Sequence, residues 1–240
     1  MSDTVSVIVT SAVNATFSIY SPEQRMSQTL HTIESIRDNI PGAEITLLEV
    51  SVPGLSAEQE SKLTSQVKNY VSLSEDENIV YLQNNLDRKD VVKNMTEAMA
   101  LRRLCDVAEE NKWFAKSKRV IKISGRYWLT KNFDLSLHLD PLCRNKFVFR
   151  KKNLSQFRPI HTETPLQYQT RLYSFHPDLM PRYAECLEKM VEEQQLFYNT
   201  NRYMDIEHQW WRLLKDWEVI EADKIGVTGY IAPNGQEVDD

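Results

Sequence analysis

Two short stretches of this sequence hold residue types that could act on an anionic, hydroxyl-bearing substrate. The first is Lys122-Ile123-Ser124-Gly125-Arg126-Tyr127. Strand alternation sends Lys122 and Ser124 to one face and Ile121 and Ile123 to the other. Gly125 carries no Cβ, so a backbone or a phosphate can come close to it. Arg126 then either meets a phosphate as a bidentate, always-charged partner or points to solvent from a turn. Arg25 adds a cation one turn into a helix, near the end that favours anions; taken alone it reads first as a solvated surface arginine. The second stretch is Met204-Asp205-Ile206-Glu207-His208. An acid at a helix start is ordinarily the N-cap, which suits Asp205. Glu207 lies about 100° round the helix from Ile206, at the edge of the apolar stripe, and is the candidate general base with His208 beside it.

The pattern along the chain predicts the scaffold that would hold these residues. Apolar, β-branched runs at 5–10, 45–50, 79–83 and 120–123 read as buried strands. Helices are predicted between them. The first starts at Ser21-Pro22-Glu23, runs through Met26, Leu30, Ile33, Ile36 and Ile40, and stops at Pro41-Gly42. A polar helix follows over 56–73 and a long one over 90–111. Strand–helix alternation of this kind predicts a parallel sheet with crossover helices. In the second half, 146–152, 169–175 and 217–222 read as strands and 181–198 and 205–217 as helices. The last helix would carry Ile206, Trp210, Leu213, Leu214 and Trp217 on one buried face. No Pro/Gly/Ser-rich linker divides the chain, so the expected fold is α/β, a mostly parallel central sheet with flanking helices in one Rossmann-like domain over 1–240.

An open parallel sheet binds ligands outside the carboxyl ends of its strands. Thr10, Ser11, Glu49, Asn84 and Ser124 each follow an apolar run and are predicted to converge on one rim, although polar residues are common in any loop. Neither G-x-G-x-x-G nor G-x-x-x-x-G-K-[ST] occurs, so the phosphate loops of dinucleotide binding and P-loop hydrolysis are missing. His138, His161 and His176 have no metal-ligand spacing. The net charge of −5 and pI near 5.6 argue against nonspecific nucleic-acid binding. No apolar run approaches the ~20 residues of a membrane span. The N-terminus lacks the basic region of a signal peptide, and the cysteines at 105, 143 and 186 suggest neither disulfides nor zinc, so a cytoplasmic location is expected. The sequons at Asn14, Asn94 and Asn153 then read as chance matches.

The order of VSVIVTSAV, QRMSQTLHTIESIRDNIP, AEITLLEVS, the long helix and VIKISGRYWL resembles the GT-A class of nucleotide-diphospho-sugar glycosyltransferases, over residues 5–230. Glu207-His208, followed by Arg212 and WEVIEA, resembles a later landmark of that class, an acidic pair opening a helix. The resemblance implies a nucleotide-sugar donor and a saccharide or other hydroxyl acceptor. It makes 1–130 the nucleotide-binding half and 131–240 the acceptor side, with Thr10, Ser11 and Glu49 around base and ribose. Glu207, or else Asp205, would deprotonate the acceptor, with inversion at the sugar. In that class the strand matching VIKIS ends in Asp-x-Asp, which holds a divalent metal such as Mn²⁺ on the diphosphate. Here Ser124-Gly125-Arg126 stands in that place, so no metal cofactor is expected and Lys122 with Arg126 would neutralise the donor. Two other readings compete. One is a non-catalytic glycan- or nucleotide-binding protein whose Tyr127-Trp128 and Trp210-Trp211 stack on sugars. The other is a nucleotidyltransferase, for which no metal-binding carboxylate pair is found.

Overall fold

The computed structural model describes residues 4–15, 18–155, 164–231 and 235–240. His161, considered above, lies outside the described residues. A seven-stranded sheet runs through the centre in the order β10-β6-β9-β4-β1-β2-β3. Its strands are β1 (Val5–Ser11), β2 (Glu44–Glu49), β3 (Asn69–Ser72), β4 (Arg119–Ser124), β6 (Phe147–Arg150), β9 (Leu172–Phe175) and β10 (Val219–Ala222). β1 is parallel to β2 and β4, and β2 is parallel to β3. β9 is antiparallel to both β4 and β6, while β10 is parallel to β6, so β9 alone opposes the common direction. The expected α/β fold with a mostly parallel central sheet is the one observed. No helix among the described residues is long and apolar enough to cross a membrane.

The strand predicted at 79–83 is a helix. Asp76 accepts hydrogen bonds from the backbone N–H of Asn78 and Ile79, both at 3.1 Å, and caps α3 (Glu77–Asn85). Ile79 and Leu82, three apart, are its buried residues. A short apolar run does not distinguish a buried strand from one buried turn of helix, and here the cap decides. The third strand is instead Asn-Tyr-Val-Ser, inside the stretch predicted as one long polar helix. That helix, α2 (Ala57–Thr64), ends early. β3 sits at the sheet edge and buries only Val71, so its sequence carries little apolar signal.

Helix α1 (Pro22–Asn39) covers one sheet face and α4 (Lys89–Glu110) the other. Ser21 caps α1: its hydroxyl accepts from Gln24 N at 3.3 Å, and the Gln24 side chain accepts from Ser21 N at 2.9 Å. One side of α1 is polar yet buried. Thr29 donates to Gly125 O at 3.2 Å, Thr32 donates to Tyr127 O at 2.7 Å, and Ser35 accepts from Leu129 N at 3.0 Å. These residues are spaced i, i+3, i+6 and satisfy the open edge of β5 (Tyr127–Leu129), the end strand of a small sheet with β11 (Val227–Tyr230) and β12 (Glu237–Asp239). The chain just beyond β4 is thereby fixed against the start of α1.

The other face packs on α4, α6 (Met180–Asn199) and α7 (Ile206–Leu213). Trp210 of α7 is 0% exposed, with its ring 5.5–5.9 Å from those of Phe147, Phe149, Tyr173 and Tyr183. Trp217, expected on the same buried face, is 65% exposed. The helix ends at Leu213 and Leu214 turns extended, so the helical period no longer carries to residue 217.

Candidate active site

Parallel strands put their carboxyl ends on one rim. Thr10 is registered beside Leu48 on one side and Ser124 on the other, and Ser11 beside Glu49. Above this rim a cleft opens, with Thr10, Ser11, Arg25, Ser124 and Arg126 along one side. The other side is α4, which presents Val92, Lys93, Thr96, Glu97 and Ala100. Their 1, 3, 1, 3 spacing is that of a single helix face. The polar members of that face were not among the predicted site residues. In sequence, Lys93, Thr96 and Glu97 recur at helical spacing beside the apolar stripe of Val92, Met95 and Met99, which marks a shared helix face but not where that face lies.

Two guanidinium groups meet at the cleft. Arg25 is 4% exposed; its Nε donates to Ala12 O at 3.2 Å and its Nη1 to Gln28 Oε1 at 3.2 Å. Burial, and after it the charge of Arg126, push the Arg25 pKa down to about 10, with the Glu49 carboxylate opposing. Arg126 stacks 5.0 Å from the centroid of the Tyr127 ring, and its buried Nε has no hydrogen-bond partner among the described residues. The Thr96 hydroxyl is likewise buried without a partner. Buried polar groups left unpaired beside a cleft are where a ligand recovers the desolvation they have already undergone.

Several predicted residues serve the frame instead. Glu49 is 1% exposed, and its Oε1 accepts from Val13 N at 3.1 Å, from Ser51 N at 3.0 Å and from the Ser51 hydroxyl. It ties the β1–α1 loop to the end of β2 and does not line the cleft. Gly125 donates to Thr10 O at 2.7 Å, and a Cβ there would stand 3.0 Å from that oxygen and 3.1 Å from Thr29 Oγ1. The close approach that glycine permits is therefore backbone on backbone. Lys122 is 0% exposed and uses all three ammonium protons, on Glu97 Oε1 at 2.7 Å, Ser124 Oγ at 2.9 Å and Thr170 O at 3.1 Å. It has no proton left for a diphosphate. Asn84 lies exposed on α3, while its neighbour Gln83 lines the cleft and donates to Val50 O at 3.0 Å. Tyr127 is 3% exposed, so its ring and that of Trp210 offer no stacking surface to a sugar.

At the start of α7, Asp205 is the N-cap and accepts from His208 N at 3.2 Å. It also bonds the His208 ring at Nδ1, while Nε2 meets Ser155 Oγ at 2.7 Å, which leaves the buried His208 engaged within the protein. Glu207 Oε1 accepts from the Thr170 hydroxyl at 2.9 Å, and Glu207 is not among the residues lining the cleft. Burial pushes the Glu207 pKa up, and the charges of Asp205 and Glu97 add to the shift. A raised folded-state pKa means the folded chain holds its proton over a pH window where the unfolded chain has lost it. Stability from this group is full below the unfolded pKa and falls as pH rises through the folded one. Glu207→Gln is therefore expected to match the parent chain in acid and to exceed its stability at neutral pH, measured by urea unfolding at pH 4 and pH 8.

A divalent metal finds no suitable donor set at the end of β4. Ser, Gly and Arg stand there, and the described residues contain no group of three or more His, Cys, Asp or Glu side chains that could hold an ion. Arg126, whose Nε has no hydrogen-bond partner among the described residues, stands at that end of the strand.

No family model and no curated protein matches the chain. Solved structures do. A galactosyltransferase, LgtC, in complex with donor and acceptor sugar analogs aligns with a TM-score of 0.56 at 10% identity, over 90% of this chain and 73% of that one. An active-site mutant of LgtC aligns with a TM-score of 0.55 at 10% identity, over 90% of this chain and 72% of that one. The chain thus has the fold of GT-A-type glycosyltransferases, as its order of segments implied.

Proposed function

We propose that this chain is a glycosyltransferase that moves a sugar from a nucleotide-sugar donor to a saccharide or other hydroxyl acceptor without a divalent metal. The observation that carries the reading is the Arg25–Arg126 pair, with Lys93, facing a cleft at the carboxyl rim of a GT-A-type sheet. Departure of a nucleoside diphosphate leaves negative charge on its oxygens. Fixed cations in a partly desolvated cleft stabilise that charge more than water does, and they need no reorganisation. Arg126 supplies a planar fork of donors for the diphosphate, and Lys93 adds a mobile point charge. The unpaired Thr96 hydroxyl can donate to the same ligand. The apolar walls formed by Leu48, Val50, Val92 and Ala100 suit the uncharged part of a donor.

Arg126 standing where a metal would be held makes metal independence part of the proposal. Release of nucleoside diphosphate from a panel of UDP- and GDP-hexoses is expected to proceed equally in EDTA and in Mn²⁺. Turnover that EDTA abolishes and Mn²⁺ restores would exclude the cationic substitute. Binding of the same donors with no turnover under any condition would favour the non-catalytic reading.

A further inference from the structure

We infer that Glu97 is the general base of the cleft, taking the proton of the acceptor hydroxyl; this rests on the glycosyltransferase reading above. Among the described residues Glu97 is the one carboxylate that lines the cleft. It stands one helical turn beyond Lys93 and next to Thr96, so it shares a helix face with groups assigned to the donor. Its Oε1 accepts from Lys122 Nζ at 2.7 Å, and no hydrogen bond from a described residue reaches Oε2. One oxygen of this cleft-lining carboxylate is thus held rigidly, while no described residue claims the other.

Charge completes the argument. Lys122 is fully buried, and Glu97 is the carboxylate paired with it. Burial alone would raise the Glu97 pKa, but the charge and hydrogen bond of Lys122, with Lys93 and Arg126 behind it, hold it below the usual range. A base must be unprotonated to act, and this one is ionised throughout the neutral range. Glu207 differs on both counts, since it lies outside the cleft lining and burial favours its protonated form. In the step assigned here, Glu97 Oε2 accepts the hydroxyl proton as the acceptor oxygen bonds to the anomeric carbon. The bond from that carbon to the diphosphate oxygen breaks, and its electron pair leaves with the nucleoside diphosphate. When water is the acceptor, the same step is donor hydrolysis.

The test measures nucleoside diphosphate release from the UDP- and GDP-hexose panel, together with binding of the free diphosphates UDP and GDP. Glu97→Gln is expected to lower turnover about 10²–10⁴-fold, with diphosphate affinity within about threefold of the parent. Because this variant leaves Lys122 buried without a counter-charge, Lys122→Met/Glu97→Gln is tested beside it. Buried ion pairs can often be replaced as a pair without loss of the fold. The double variant is expected to lose turnover equally, and added formate should restore part of it in Glu97→Ala. Turnover retained in Glu97→Gln or in the double variant overturns the assignment, as does a loss matched by a loss of diphosphate binding. A parent chain that releases no diphosphate from any donor removes the glycosyltransferase reading and this base with it. An active parent beside an active Glu97→Gln removes the base alone.

Discussion

Removing both cleft arginines, as Arg25→Ala/Arg126→Ala, is expected to weaken nucleoside diphosphate binding about 10²–10⁴-fold. A hydrogen bond to a charged group is worth about 1.5–3 kcal/mol, so each arginine contributes roughly one to two powers of ten. The groups are close enough for the charge of Arg126 to depress the pKa of Arg25, which means they repel. An anion between them relieves that repulsion, and the two contributions are therefore coupled. The single variants should separate binding from stability. Arg126→Ala removes an unpaired buried Nε and one of two like charges, so its melting temperature should equal or exceed that of the parent while binding falls. Arg25→Ala frees Ala12 O and removes a cation that interacts with the buried Glu49, so it should lose stability as well. Arg126→Lys keeps the charge without the planar fork and should recover only part of the affinity. Calorimetry with UDP and GDP, with thermal melting of each variant, checks all four outcomes. Unchanged diphosphate affinity in the double variant would remove the cleft from the proposed function.

Trp210→Ala is expected to cost about 3–5 kcal/mol of folding stability, the range for removing a large aromatic from a packed core. The ring is 0% exposed and meets Phe147, Phe149, Tyr173 and Tyr183, which join β6, β9 and α6 to α7. Its indole N–H is buried without a partner among the described residues, a cost already present in the parent. Trp210→Phe removes that orphan donor and keeps most of the apolar volume, so it should lose much less. Trp217→Ala, at a site 65% exposed, should change stability by no more than about 0.5 kcal/mol. Urea unfolding of the three variants gives the comparison. Equal losses at positions 210 and 217 would contradict the observed end of α7.

The sequence by itself determined all but one strand of the central sheet and most of its helices. The runs at 5–10, 45–50 and 120–123 are strands, because β-branched residues buried on both faces leave a continuous apolar signal. Ser21-Pro22 starts a helix, because capping acts over four adjacent residues and is written locally. Segment order was enough to suggest the GT-A-type fold. The rim was legible too, since parallel strands bring Thr10 and Ser124 together whatever else the chain does.

Tertiary structure decided which of the rim residues remain available to a ligand. Lys122 and Glu49 look like site residues in sequence, but in the fold Thr170, 48 positions away, takes a proton of Lys122, and Val13, 36 away, donates to Oε1 of Glu49. Glu97 and Thr96 read as ordinary helix residues until α4 is laid across the carboxyl ends of the strands. Residues 79–83 and 69–72 exchanged roles because a short apolar run is compatible with either structure, and the choice rests on the Asp76 cap and on pairing with β2. Hydrogen-bond satisfaction is a property of the whole packed chain. A periodic pattern records which side of an element is apolar, but not which distant group will claim its polar atoms.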